Sequence, residues 1–369
     1  MRILHVYKDY HPVLGGIENH LYVVAREQAR RGHEVTVLVT NPGGRKTSVR
    51  EEEGVQVIRA SRLATIASTP LSVELFRQLQ GQSPDVVHLH FPYPVGEVSQ
   101  WLLGRGRATL LTYHSDVIKQ AGILKLYNPL LKRILRSVDR IITTSEPYIS
   151  SSPYLRPLAD RCTVIPLGID IERFARPQPQ NVAVLHARYP GPLLLFVGRL
   201  RYYKGLNYLI EAMKKIKATL LVIGTGPEAA NLGDQAYLEG VADKIRFLGD
   251  ISDENLPAYY QAADLFVLPS SQRSEAFGIV LLEAMAAGTP LISTELATGT
   301  SWVNQHETTG LVTPPRNPDA LAQAINSLLA DDARRQELGV NARHRAKTEF
   351  GLPLLVDRLL DLYQGVLGG

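Results

Sequence analysis

The chain has 369 residues, 45% hydrophobic and 21% charged, with a net charge of +4; that is too long for one compact core and suits two domains of roughly 150 to 200 residues each. A single cysteine, Cys162, excludes an internal disulfide and favours a reducing compartment, and no apolar run approaches the ~20 residues that span a bilayer. Residues 1–185 hold 23 Lys/Arg against 16 Asp/Glu, whereas residues 186–369 hold 17 against 20, so the basic half should meet something anionic.

The first half alternates short apolar runs with helical patterns. Arg2 to Tyr7 reads as a strand rather than a secretion signal, so a cytoplasmic location is expected. It is followed by a loop ending in Gly15-Gly16 and a helix from about Ile17 to Arg30, stopped by Gly32. Further apolar runs lie at 33–40, 55–59, 85–90, 109–114, 140–145 and 163–166. Such a βαβ rhythm predicts a parallel sheet with helices on both faces. Gly-x-Gly-x-x-Gly is missing after the first strand, which argues against a nicotinamide or flavin enzyme. His114 ends its strand, where a side chain points into the ligand crevice of a parallel sheet; Asp116 either orients it or positions an acceptor. His88 and His90 form a His-x-His pair, but with no third ligand evident they read as crevice-lining or packing residues.

Lys119, Lys125, Lys132, Arg133, Arg136 and Arg140 interleave with leucines and isoleucines. Such a stretch either lies on an anionic membrane leaflet or is a packed helix with a solvated face. Nucleic acid fits poorly, because no aromatic stacking platform accompanies the charge. Pro166 to Phe174 and the proline-rich 177–192 stretch read as an interdomain linker.

A second βα series follows, with apolar runs at 193–197, 219–223, 245–248, 265–268 and 291–294. Between the last two lies Ser274-Glu-Ala-Phe-Gly-Ile-Val-Leu-Leu-Glu-Ala-Met-Ala-Ala-Gly-Thr-Pro290. It predicts a loop carrying Glu275 and a short helix carrying Glu283. The backbone N–H groups of Phe277, Gly278, Ile279 and Val280, at the positive end of that helix, suit an anion. The two glutamates suit hydroxyl groups on either side of it, those of a sugar and of a ribose. Gly198-Arg199-Leu-Arg-Tyr-Tyr-Lys204-Gly205 places two cations at a strand end, where they suit an anion in the crevice. No Asp-x-Asp pair occurs, so leaving-group stabilisation without a metal, and no cofactor, is expected.

These segments resemble retaining, nucleotide-sugar-dependent glycosyltransferases of family 4: the Glu-x7-Glu pair, the Gly-Arg-Leu…Lys-Gly run, Gly224-Thr-Gly226-Pro227, Gly15-Gly16 and Tyr-His114-Ser-Asp116. The resemblance implies an α/β GT-B fold of two doubly wound Rossmann-like domains facing a cleft. Residues 1–175, joined by a terminal helix at 352–369, would form the acceptor side, and residues 190–351 the nucleotide-sugar domain. It further implies that Gly16 reaches the donor diphosphate, that Gly224 and Gly226 shape the nucleotide pocket, and that His114 lies by the donor sugar. Gly15, Glu18, His20 and Asp116 would stand near the acceptor, although Glu18 and His20 read equally as ordinary exposed residues. Gly299 to Asn304 replaces a small Gly-Gly loop and is similar to members that use mannose-type sugars on guanosine carriers. The expected reaction is hexosyl transfer from a GDP-mannose-type donor to a saccharide or lipid-linked saccharide in cell-surface polysaccharide or glycolipid assembly. The rival is a sugar-nucleotide epimerase of the same architecture. Glu275 is assigned to the donor sugar, with a covalent carboxylate nucleophile as the alternative.

Overall fold

A computed structural model describes residues 1–13, 15–66, 69–116 and 121–369, with only the backbone for residues 121–126. It divides into two compact units, Met1–Leu167 with Leu352–Gly369, and Gly168–Gly351. The boundary at Leu167/Gly168 falls within the stretch expected as a linker, and its proline-rich part, 177–192, belongs to the second unit. Pro179 occupies the first turn of a helix, Pro179–Arg188, where its missing N–H costs nothing. Leu185 and Tyr189 are buried, and the Gln178 amide donates to Gln261 Oε1 at 2.9 Å. The prolines there start a packed helix and do not mark a spacer.

In the first unit, strands β1 (Arg2–Val6), β2 (Glu34–Thr40), β3 (Ser48–Glu52), β4 (Val55–Ala60), β5 (Ala64–Ile66), β6 (Thr69–Leu71), β7 (Val86–Phe91), β8 (Ala108–Tyr113), β9 (Arg140–Thr143) and β10 (Cys162–Val164) follow in chain order. The main sheet runs β10-β9-β8-β7-β1-β2-β4-β3, parallel except for the edge strand β3, and β5 and β6 pair separately. The order reverses between β1 and β7. The helix Leu352–Gly368 lays Val356, Leu359 and Tyr363 against Ile3, Val24, Val86 and Leu110 in one core.

In the second unit, β11 (Leu193–Val197), β12 (Thr219–Ile223), β13 (Ile245–Gly249), β14 (Leu265–Leu268), β15 (Leu291–Thr294) and β16 (Gly310–Thr313) form an all-parallel sheet in the order β13-β12-β11-β14-β15-β16. β11, β14 and β15 are buried throughout, as a sheet covered on both faces requires. Here the order reverses between β11 and β14. In such sheets the ligand crevice lies beyond the carboxyl ends of the strands on either side of the reversal. The loops after β11 and β14 are therefore the ones to inspect, together with those after β1 and β7 in the first unit.

Candidate active site

The loop after β11 carries Arg199 and Lys204, and the loop after β14 carries Glu275, so the switch point of the second sheet brings them to one end. Gly205 follows Lys204 with φ 69°, and a β-carbon there would lie 1.9 Å from the carbonyl oxygen of Pro269. Only glycine lets the two loops touch. The result is a buried ion pair: Lys204 Nζ stands 2.5 Å from Glu275 Oε2, with Lys204 8% and Glu275 7% exposed. Ser270 Oγ donates to the same carboxylate oxygen at 3.1 Å, and Thr298 Oγ1 donates to the Glu275 carbonyl at 2.9 Å. Burial works to lower the Lys204 pKa, but Glu275, together with Tyr203 and Glu283, outweighs it and the net shift is upward. The ammonium is thus held charged, with one of its three protons committed.

Arg199 is exposed and makes no hydrogen bond or ion pair among the described residues. Its loop is braced from beneath by the turn after β12. β-Carbons at Gly224 and Gly226 would meet the carbonyl oxygens of Gly198 and Leu200 at 2.2 and 2.3 Å, which explains both glycines. Leu200 N donates to the Thr225 carbonyl at 2.9 Å.

The helix Ile279–Ala287 starts at Gly278, which has φ 82°, and no side chain caps it. Its first amides lack intrahelical partners by construction, so they remain suited to an anion. The Phe277 ring faces the other way, packed at 6.4 Å from Trp302 and 6.3 Å from Phe350. Gly299, whose β-carbon would lie 2.7 Å from that ring, makes room for it. Glu283 is half-buried, and its Oε2 accepts from the Tyr260 hydroxyl at 2.6 Å. Burial, only partly offset by that bond, pushes its pKa up to about 7.

In the first unit, His114 is buried directly after β8. Its Nε2 lies 3.0 Å from His90 Nδ1, so His90 orients it. The Asp116 carboxylate accepts from Tyr113 and Ser152, both at 2.9 Å. His20, expected at or near the surface, is buried and packs edge-on against His114, with ring centroids 5.4 Å apart. Burial lowers its pKa to about 3. The His88–His90 pair does have further imidazoles beside it: His5 groups with both, and His20 and His114 group with His90. The registers His5↔His88 and His90↔Thr112 put His5, His88, His90 and His114 on one face of the sheet, and His20 meets them from the helix Gly16–Arg30. Sequence reading missed His5, because a lone histidine inside an apolar strand carries no spacing signal.

Gly15 precedes the helix Gly16–Arg30, and Gly16 is exposed at its first turn. In the helix Ala121–Ser137, Lys132, Arg133 and Arg136 are exposed, while Leu131, Ile134 and Leu135 are buried. Lys119 and the side chain of Lys125 lie outside the described residues. No helix among the described residues is long and apolar enough to cross a membrane. Cys162 is free and half-buried, and burial raises its thiol pKa to about 11, so it is an unreactive thiol at neutral pH.

Comparisons with known proteins identify the family. The family model for glycosyl transferases group 1 matches residues 179–345, and that for glycosyltransferase family 4 matches residues 14–173. The chain is 36% identical to the O-antigen chain mannosyltransferase C of Escherichia coli, covering 100% of this chain and 99% of that one. It is 38% identical to the D-rhamnosyltransferase WbpZ of Pseudomonas aeruginosa, covering 95% and 92%. Among solved structures, the sucrose-phosphate synthase of Thermosynechococcus elongatus superposes with a TM-score of 0.80 at 26% identity, over 99% of each chain. These matches, with the two α/β units built on parallel sheets, make this chain a member of the group 1 glycosyltransferases, with the GT-B fold.

Proposed function

We propose that the chain transfers a manno-configured hexose, with retention of anomeric configuration, from a GDP-mannose-type donor to a saccharide or lipid-linked saccharide acceptor. The product would enter a cell-surface polysaccharide or glycolipid. The observation that carries the reading is the buried Lys204–Glu275 pair beside the uncapped helix at Gly278. Lys204, Arg199 and the amides of Gly278 to Val280 receive the diphosphate and stabilise the charge that grows on it as the glycosyl bond breaks. Glu275 accepts from a hydroxyl of the donor sugar, and Glu283 from the ribose. The bond from the anomeric carbon to the β-phosphate oxygen breaks, and the acceptor oxygen bonds on the same face. The acceptor proton passes to the departing phosphate. Fixed cations and a helix terminus do this without a divalent ion.

The names of the relatives support the sugar: one is a mannosyltransferase, the other a D-rhamnosyltransferase. Membership of a transferase family favours transfer over epimerisation. The exposed basic face of the helix Ala121–Ser137 supports peripheral contact with the anionic inner leaflet. In an assay with a panel of nucleotide-sugars and saccharide acceptors, the product should carry the donor's anomeric configuration, and chelation by EDTA should leave the rate unchanged. An inverted product, or isotope wash-in into the donor without any acceptor, would remove the reading.

A further inference from the structure

A string of buried hydrogen bonds runs from the helix Gly16–Arg30 to the end of β8. His5 Nε2 lies 2.8 Å from Gln28 Oε1, His5 Nδ1 lies 3.1 Å from His90 Nε2, and His90 Nδ1 lies 3.0 Å from His114 Nε2. A neutral imidazole has one N–H and one bare nitrogen, so the choice made at one end dictates every later one. The Gln28 carbonyl oxygen accepts only, which puts the proton of His5 on Nε2. His5 Nδ1 is then bare and accepts from His90 Nε2–H. His90 Nδ1 accepts in turn from His114 Nε2–H, leaving His114 Nδ1 with an open lone pair. That atom takes no partner among the described residues. Burial holds all three rings neutral by lowering their pKa values.

The amide of Gln28 is itself aligned from the C-terminal helix. Its Nε2 donates to the Tyr363 hydroxyl at 3.5 Å, and that hydroxyl donates to His88 Nδ1 at 2.5 Å. His88 Nε2–H is then free to donate to Thr112 Oγ1 at 2.6 Å.

We propose that Gln28 is a positioning residue which, through His5 and His90, fixes the tautomer of His114 so that Nδ1 accepts a hydrogen bond from a substrate hydroxyl. The proton placement stands on the hydrogen-bond string alone; its use rests on the glycosyl-transfer reading. The test is ¹⁵N NMR of the full-length chain labelled at histidine, compared with Gln28→Met, which removes the acceptor at similar length, and Gln28→Glu, which keeps one. Native protein and Gln28→Glu should show His114 protonated at Nε2, whereas Gln28→Met should show mixed tautomers. Turnover by Gln28→Met should fall about tenfold with an unchanged KM for the donor, the usual cost of losing an orienting partner. Tyr363→Phe, which frees the Gln28 amide to flip, should blur the tautomer in the same way and serves if Gln28→Met does not fold. A native His114 protonated at Nδ1, an unmoved tautomer in a folded Gln28→Met, or zinc bound stoichiometrically in place of the protons would each overturn the proposal. A tautomer that moves as expected in a protein that transfers no sugar would instead overturn the glycosyl-transfer reading.

Discussion

The ammonium of Lys204 and the carboxylate of Glu275 form a buried ion pair across two loops that meet only because Gly205 lies between them. Removing one partner leaves the other charge buried and unpaired. Lys204→Met should therefore destabilise the fold by about 3–5 kcal/mol, whereas the double change with Glu275→Gln should recover part of that loss. Urea denaturation of the four proteins measures the coupling. Additive losses would mean that the pair is not formed in solution.

Arg199 gives the contrasting case. It is exposed and holds nothing together, so Arg199→Ala should leave stability within about 0.5 kcal/mol of native. Its transfer rate should nevertheless fall roughly a hundredfold, as loss of one charge-stabilising donor does elsewhere. Steady-state kinetics beside a thermal melt separates the two effects.

Gly205→Ala meets both a φ of 69° and a carbonyl oxygen 1.9 Å from the new methyl. The loop must move, so a loss of at least ~1–3 kcal/mol is expected, together with weakened donor binding as Lys204 shifts. Calorimetry with a nucleoside diphosphate would detect both. Gly233→Ala, inside the helix Ala229–Leu238 with nothing within 4 Å of the new methyl, is the control: donor binding should not change, and stability should hold or rise by up to about 1 kcal/mol.

Glu283 links pH to stability. Its folded pKa of about 7 lies above the ordinary 4.5 because burial disfavours the charge. The folded chain therefore keeps a proton that the unfolded chain has lost. The group's contribution is complete below about pH 4.5 and disappears as pH rises through 7. Relative to Glu283→Gln, native stability should fall by roughly 3 kcal/mol between pH 4.5 and pH 8. Parallel pH profiles of the two proteins would contradict this.

Much of the site was legible because it is local in sequence. Glu275, Gly278 and Glu283 sit on one loop and one helix, and Arg199 and Lys204 on another loop. The linker was drawn too long because Pro179 was weighed as a breaker, although at the first turn of a helix proline is a start signal. The pairing of Lys204 with Glu275 depends on which strands flank the sheet reversal, which no local pattern encodes. The histidine string was hidden for the same reason: His5 and His90 lie on two strands and His114 directly after a third, and they meet only through register.

The central claim is that fixed cations and the helix start at Gly278 receive the diphosphate of a nucleotide-sugar. A crystal structure with an unhydrolysed GDP-mannose analogue tests it most directly. The account predicts diphosphate oxygens within hydrogen-bonding distance of Arg199, Lys204 and the amides of Gly278 to Val280, with the sugar on Glu275. A diphosphate bound away from these groups, or held by a metal ion, would contradict it.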